Sequence, residues 1–109
     1  MEAKTPAEFF EKVLATKFKQ NKAESFEAVA QVNISGADGG NWIVTVKDQK
    51  IHTREGIDPK PDITLKMADT DFVAMVNGKL SAVTAFMNGK LEFTGSMGTG
   101  LRLLDMGFI

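Results

Sequence analysis

The chain has 109 residues, enough for one domain with one modest core spanning 1–109. It is 43% hydrophobic and 25% charged, and its 13 basic and 14 acidic residues form no basic patch, which argues against a nucleic-acid partner. With no cysteine, disulfides, thiol catalysis and cysteine metal sites are excluded. No stretch approaches the roughly 20 apolar residues of a membrane span. The N-terminus lacks an apolar signal core, and the C-terminus carries neither a peroxisomal tripeptide nor a lipidation cysteine. A cytoplasmic setting is expected.

Thr5-Pro6-Ala7-Glu8 predicts a helix start, with Thr5 as cap, Pro6 at the first position and Glu8 completing a capping box. Phe9, Phe10, Val13, Leu14 and Phe18 mark one apolar face through about Lys19. Mixed charge on the other face predicts docking on the domain rather than on a membrane. Phe26, Ala28, Ala30, Val32 and Ile34 then alternate with Glu27, Gln31 and Asn33, a strand with one buried face. Val29 falls on the outer face or at a bulge. After a glycine-rich turn at 36–41, Trp42, Val44 and Val46 predict a second strand. Asp48-Gln49 turns the chain into a short polar strand from Lys50 to Glu55, suited to a sheet edge. Residues 56–61, with Pro59 and Pro61, read as a loop.

The stretch from Asp62 to Gly98 reads as strand, short helix, short helix, strand. Ile63, Leu65 and Met67 alternate with Thr64 and Lys66. Asp69 or Thr70 is expected to cap a helix carrying Phe72, Val73, Met75 and Val76, stopped at Asn77-Gly78. Ser81 is expected to cap a second, with Val83, Phe86 and Met87, stopped at Asn88-Gly89. Leu91, Phe93 and Gly95 then form a strand face. Gly95-Ser-Met-Gly-Thr-Gly100 reads as a tight strand-to-helix turn; as a phosphate cradle it fits neither dinucleotide nor P-loop spacing. Leu101, Leu103, Leu104 and Met106 predict a short last helix, and Phe108-Ile109 an apolar tail. The sum is an α+β domain with about five strands.

No catalytic constellation emerges. His52 is the single histidine, Asp69 and Asp71 suit a helix N-terminus, and Asp62 and Glu92 could meet across strands. Ser25, Ser35, Ser81 and Ser96 stand outside any nucleophile motif. The expectation is no enzyme, no metal and no cofactor. Phe72, Met75, Phe86 and Met87 either complete an ordinary core or form a soft lid over an apolar space. Such a space would bind a lipid. About fourteen buried methylenes at roughly 0.8 kcal/mol each give roughly 11 kcal/mol gross. Association costs of about 4–15 kcal/mol offset much of that.

Lys60-Pro61-Asp62, Asp71-Phe72-Val73, Gly78-Lys79-Leu80, Ala85-Phe86-Met87-Asn88-Gly89-Lys90-Leu91 and Gly95-Ser96-Met97-Gly98, in that order, resemble the sterol carrier protein 2 family. The N-terminal helix and the single tryptophan after a glycine-rich turn fit as well. The resemblance implies a twisted five-stranded, mostly antiparallel sheet, covered on one face by helices, with an apolar tunnel between them. It implies a lipid ligand, such as a long-chain fatty acid, acyl-CoA, phospholipid or sterol, and a role in lipid transfer. Phe72, Met75, Val76, Val83, Phe86, Met87, Leu91, Phe93, Leu101, Leu104 and Phe108 become expected ligand contacts, with Ile34, Trp42 and Val44 from the sheet. Transient membrane contact is expected. The alternatives are a dimerising interaction module and an accessory to an acyl-thioester enzyme. Ser96 stands where the family usually has asparagine, and Thr99-Gly100 where it has a more helical pair, so the last helix is expected to start late.

Overall fold

The computed structural model describes residues 2–108, without the side chain of Phe108; Ile109 lies outside the described residues. Helix α1 covers residues 6–17, with a wider π turn at Phe9–Val13. The strands are β1 (Ala28–Ser35), β2 (Gly40–Lys47), β3 (Lys50–Glu55), β4 (Ile63–Ala68) and β5 (Leu91–Gly95). Helices α2 (Asp69–Val76) and α3 (Ala82–Met87) link β4 to β5, and α4 (Met97–Leu103) runs on into a π turn at Leu104–Phe108.

The sheet order is β3-β2-β1-β4-β5. All neighbours are antiparallel except β1 and β4, which run parallel because residues 56–61 carry the chain back across the sheet. Asp62 starts that pairing. Its carboxylate accepts the Val29 N–H at 2.7 Å and its own N–H donates to the Val29 carbonyl at 2.8 Å, so it meets β1 rather than Glu92. The β2–β3 hairpin closes on two residues, Asp48 and Gln49, both at positive φ. That left-handed pair matches the natural twist of two strands.

The alternation fixes the buried face. Ala30 lies opposite Val44 and Ile63, Val32 opposite Trp42 and Leu65, and Leu65 opposite Phe93. Helix α1 docks on this face, as its pattern predicts, and Phe9, Phe10, Val13 and Leu14 are all buried. Phe10 stacks on Trp42 (centroids 5.0 Å apart) and on Phe72 (5.3 Å), and Phe9 meets Phe72 edge-on at 5.5 Å. The opposite face is wetter and is strapped at one point. Buried Gln31 donates to the Gly56 carbonyl at 2.9 Å and accepts the Asp58 N–H at 2.8 Å, holding the 56–61 loop.

Several local expectations change. The Thr5 hydroxyl accepts from the Glu8 N–H as expected, but the Glu8 carboxylate reaches the Lys4 N–H rather than that of Thr5. β1 begins at Ala28, with Phe26 buried just before it. Helix α2 is preceded by Ala68 and has no side-chain cap. Asp69, in its first turn, binds Asp38 N–H at 2.9 Å and Thr70 N–H at 2.8 Å, because the 36–39 turn brings a competing donor to it. Gly78 and Gly89 do stop α2 and α3 in the left-handed conformation, at φ 78° and 75°. Helix α4 starts at Met97, without delay. Ser96 takes the cap role, its hydroxyl accepting the Thr99 N–H at 3.3 Å, so the presumed turn at 97–100 is helix.

Candidate functional site

Two small helices flank the β4–β5 edge of the sheet. Ser81 accepts the Thr84 N–H at 3.4 Å and starts α3. Its inward positions are Ala82 and Ala85, both buried, while Val83, Phe86 and Met87 turn outward. Helix α4 approaches β5 through Gly100. A Cβ there would lie 2.6 Å from Cζ of Phe93, so only glycine lets this helix sit so close to that ring.

Between them is an apolar cleft of about 210 Å³, lined by Leu65, Ala82, Val83, Phe86, Leu91, Phe93, Met97, Gly100, Leu101 and Leu104. No polar side chain faces it. A second hollow of about 590 Å³ adjoins it, lined by Met75, Gly78, Leu80, Ser81, Ala82, Val83, Leu101, Leu104 and Asp105. The two share Ala82, Val83, Leu101 and Leu104. They lie side by side between α2–α3 and α4, each open to solvent where Val83 and Leu101 are more than half exposed.

The charge in the adjoining hollow is Asp105. A 2.8 Å hydrogen bond from Lys22 holds its carboxyl below the ordinary range. The same region anchors α4: the Lys19 N–H donates to the Met106 carbonyl at 2.8 Å, and Gly107 at φ 140° packs on the end of α1. A further hollow, of about 570 Å³, lies beyond the ends of β1 and β4 and mixes Lys66 and Lys90 with Asp71 and Glu92. His52 is exposed on the edge strand β3. Among the described residues no three His, Asp or Glu side chains gather as metal ligands.

The expected contacts separate into groups. Val83, Phe86, Leu91, Phe93, Leu101 and Leu104 line the apolar cleft, and Met75 lines the adjoining hollow. Phe72, Val76, Trp42 and Val44 are buried core, and α1 supplies the aromatic partners that cover Phe72 and Trp42. Ile34 borders the polar hollow. Met87 is 79% exposed and stands outside the cleft, one position past the inward turn of α3. The Phe108 side chain lies outside the described residues. Leu65, Ala82, Met97 and Gly100 line the cleft unanticipated. Leu65 was legible as the residue that alternation places beside Phe93; Gly100 was hidden by being read as a turn.

The profile of the SCP-2 sterol transfer family matches residues 10–106. Sterol carrier protein 2 of Homo sapiens is 39% identical over 71 residues, 65% of this chain and 13% of that protein. The chain therefore spans about an eighth of that curated relative's length. Among solved structures, the solution NMR structure of palmitated SCP2L2 from Aedes aegypti superposes with a TM-score of 0.73 at 25% identity, covering 90% of both chains. The sec-alkylsulfatase Pisa1 from Pseudomonas sp. superposes with a TM-score of 0.82 over 94% of this chain and 16% of its own, and at 21% identity that is a likeness of fold.

Proposed function

Because this chain belongs to the SCP-2 sterol transfer family, we propose that it is a non-catalytic carrier that takes the acyl chain of a lipid into the cleft between α3, β5 and α4. The observation that carries this reading is a cleft walled entirely by apolar side chains and one glycine. A long-chain fatty acid is the ligand class favoured here, and the palmitated relative supports it. Apolar walls bind by removing methylenes from water, not by a charged anchor. The ligand's polar end points away from Asp105, a carboxylate that is anionic near neutral pH.

Access runs through α4. Its C-terminal end is tied to α1 by the Lys19–Met106 and Lys22–Asp105 bonds, while its first two turns hold Gly98 and Gly100. Glycine weakens a helix, so the free end parts first and the two hollows join into the family's tunnel around an inserted chain. Residues 1–109 act as one binding unit, in the cytoplasm, as part of the same proposal.

A fluorescent fatty-acid titration tests it. Wild type is expected to bind saturably and to release fluorophore to unlabelled palmitate. Phe86→Ala, which removes a half-exposed cleft wall, and Leu101→Asp, which puts a charge at the mouth, are each expected to weaken binding while the melting temperature changes little. Wild-type affinity in both folded variants would show that the ligand does not occupy this cleft.

A further inference from the structure

The chain has six methionines and no cysteine, so methionine carries all of its sulfur. The described ones fall into two classes. Met67, Met75 and Met106 are buried, none more than 5% exposed. Met87 is 79% exposed and Met97 49%. These last two differ in what they border. Met87 stands outside the apolar cleft, whereas Met97, the first residue of α4, is one of its walls. Met97 therefore borders solvent and the apolar space at once.

A thioether packs as a hydrophobe, which is how Met97 completes a lining without a polar side chain. The other lining side chains are hydrocarbon, and Gly100 has none. The Met97 sulfur is the atom of that lining which a peroxide attacks.

We propose that Met97 is an oxidation-sensitive wall of the cleft, and that a peroxide acting on it lowers lipid affinity. The inference rests on the carrier reading above and adds a modification site that controls it. The Met97 sulfur donates an electron pair to one oxygen of hydrogen peroxide. The O–O bond breaks and an S–O bond forms. The proton of the transferred oxygen passes to the leaving hydroxide, which departs as water. The thioether is oxidised to the sulfoxide and the peroxide is reduced. The sulfoxide is polar, and no other side chain lining the cleft can donate a hydrogen bond to it. An acyl chain laid over it leaves that oxygen with neither water nor partner, which burial penalises. Occupancy protects in turn, because a chain in the cleft covers Met97 and leaves Met87 in solvent.

The test is dilute hydrogen peroxide on the full chain, read by peptide mass spectrometry and by fluorescent fatty-acid titration. Each protein is compared with its own untreated sample. Met87 and Met97 are expected to gain oxygen before Met67, Met75 and Met106. Palmitate is expected to delay Met97 and to leave Met87 unchanged. Oxidised wild type is expected to lose about tenfold in affinity, the effect of one unpaired polar group in an apolar contact. Met87→Leu should lose as much on treatment, and Met97→Leu should lose little. Methionine sulfoxide reductase should restore the wild type. Unchanged affinity once Met97 carries oxygen would overturn the proposal, and so would an equal loss in treated Met97→Leu. A melting temperature that collapses in treated wild type and treated Met97→Leu alike would place the damage in the core and overturn it too. If untreated wild type binds no fatty acid, the carrier reading falls and this inference with it, whereas the other outcomes overturn this inference alone.

Discussion

Substituting alanine at two glycines of the same helix separates the close approach of α4 from its helical propensity. At Gly98 an added methyl meets nothing nearer than the Ser96 hydroxyl at 3.8 Å. Gly98→Ala is therefore expected to stabilise by about 0.5–1 kcal/mol, the usual glycine penalty in a helix. At Gly100 the same gain is opposed by the Phe93 ring, whose Cζ lies 2.6 Å from the new Cβ. Overpacking of this kind costs about 1–3 kcal/mol. Phe93 is partly exposed and its ring can turn, which favours the lower half of that range. Gly100→Ala should thus fall roughly 1–2 kcal/mol below Gly98→Ala in stability, a melting-temperature gap of roughly 4–16 °C for a chain of this size. The displaced ring has the cleft beside it, so Gly100→Ala should also weaken fatty-acid binding while Gly98→Ala leaves it intact. Thermal melts and a fatty-acid titration on both variants decide the matter. Identical melting temperatures and identical affinities would refute the argument that Gly100 sets the spacing of α4 and Phe93.

Phe72→Ala is expected to cost about 3–5 kcal/mol in urea titration, since the side chain is fully buried against Phe9 and Phe10. Gln31→Ala should cost about 1–3 kcal/mol by leaving the Gly56 carbonyl and the Asp58 N–H without their buried partner, and amide exchange should quicken first in the 56–61 loop. The Asp105 carboxyl should titrate below its ordinary 3.8 by NMR, chiefly because Lys22 donates a hydrogen bond to it. A depressed carboxylate stabilises the fold above its unfolded pKa and loses that contribution as pH falls through the folded value. The Lys22–Asp105 bond should therefore contribute in full at neutral pH, begin to be lost only as pH falls below about 3.8, and be gone below the depressed folded value, and Lys22→Gln should return the midpoint toward the ordinary value. Salt should weaken the effect, because both groups are exposed.

Strands were the most legible part of this chain, because a period of two is a local signal. Ala28, Ala30, Val32 and Ile34 announced the buried face of β1, and the polar run at Lys50–Glu55 announced an edge. The Asn-Gly stops after α2 and α3 were equally local. The parallel β1–β4 pairing depends instead on where the 56–61 loop travels, which no local pattern states. Division of the apolar residues between core and cleft was hidden for a similar reason. Phe72 and Phe86 are both aromatic residues of short apolar helices that end in Asn-Gly. One became core because Phe9 and Phe10 arrive from the far end of the chain to cover it. Ser96 misled in a different way: read as the loss of a family asparagine, it is itself a good cap, and α4 starts at the next residue.

The cleft follows from an inversion of the usual size pattern in α3 and α4. A helix that only fills a core turns its large residues inward, as α1 does with Phe9, Phe10, Val13 and Leu14. Helix α3 turns Ala82 and Ala85 inward and leaves Val83, Phe86 and Met87 outside, and α4 meets β5 through a glycine. Small inward residues leave volume unfilled between helices and sheet. Empty apolar volume lowers stability in rough proportion to its size, so a sequence selected for stability alone would fill it. Placing the bulky residues at the rim keeps the volume apolar, bounded and reachable from outside. Space and access thus arise from one short run of sequence, which is why substitutions in α3 and α4 can test the carrier reading without touching the core.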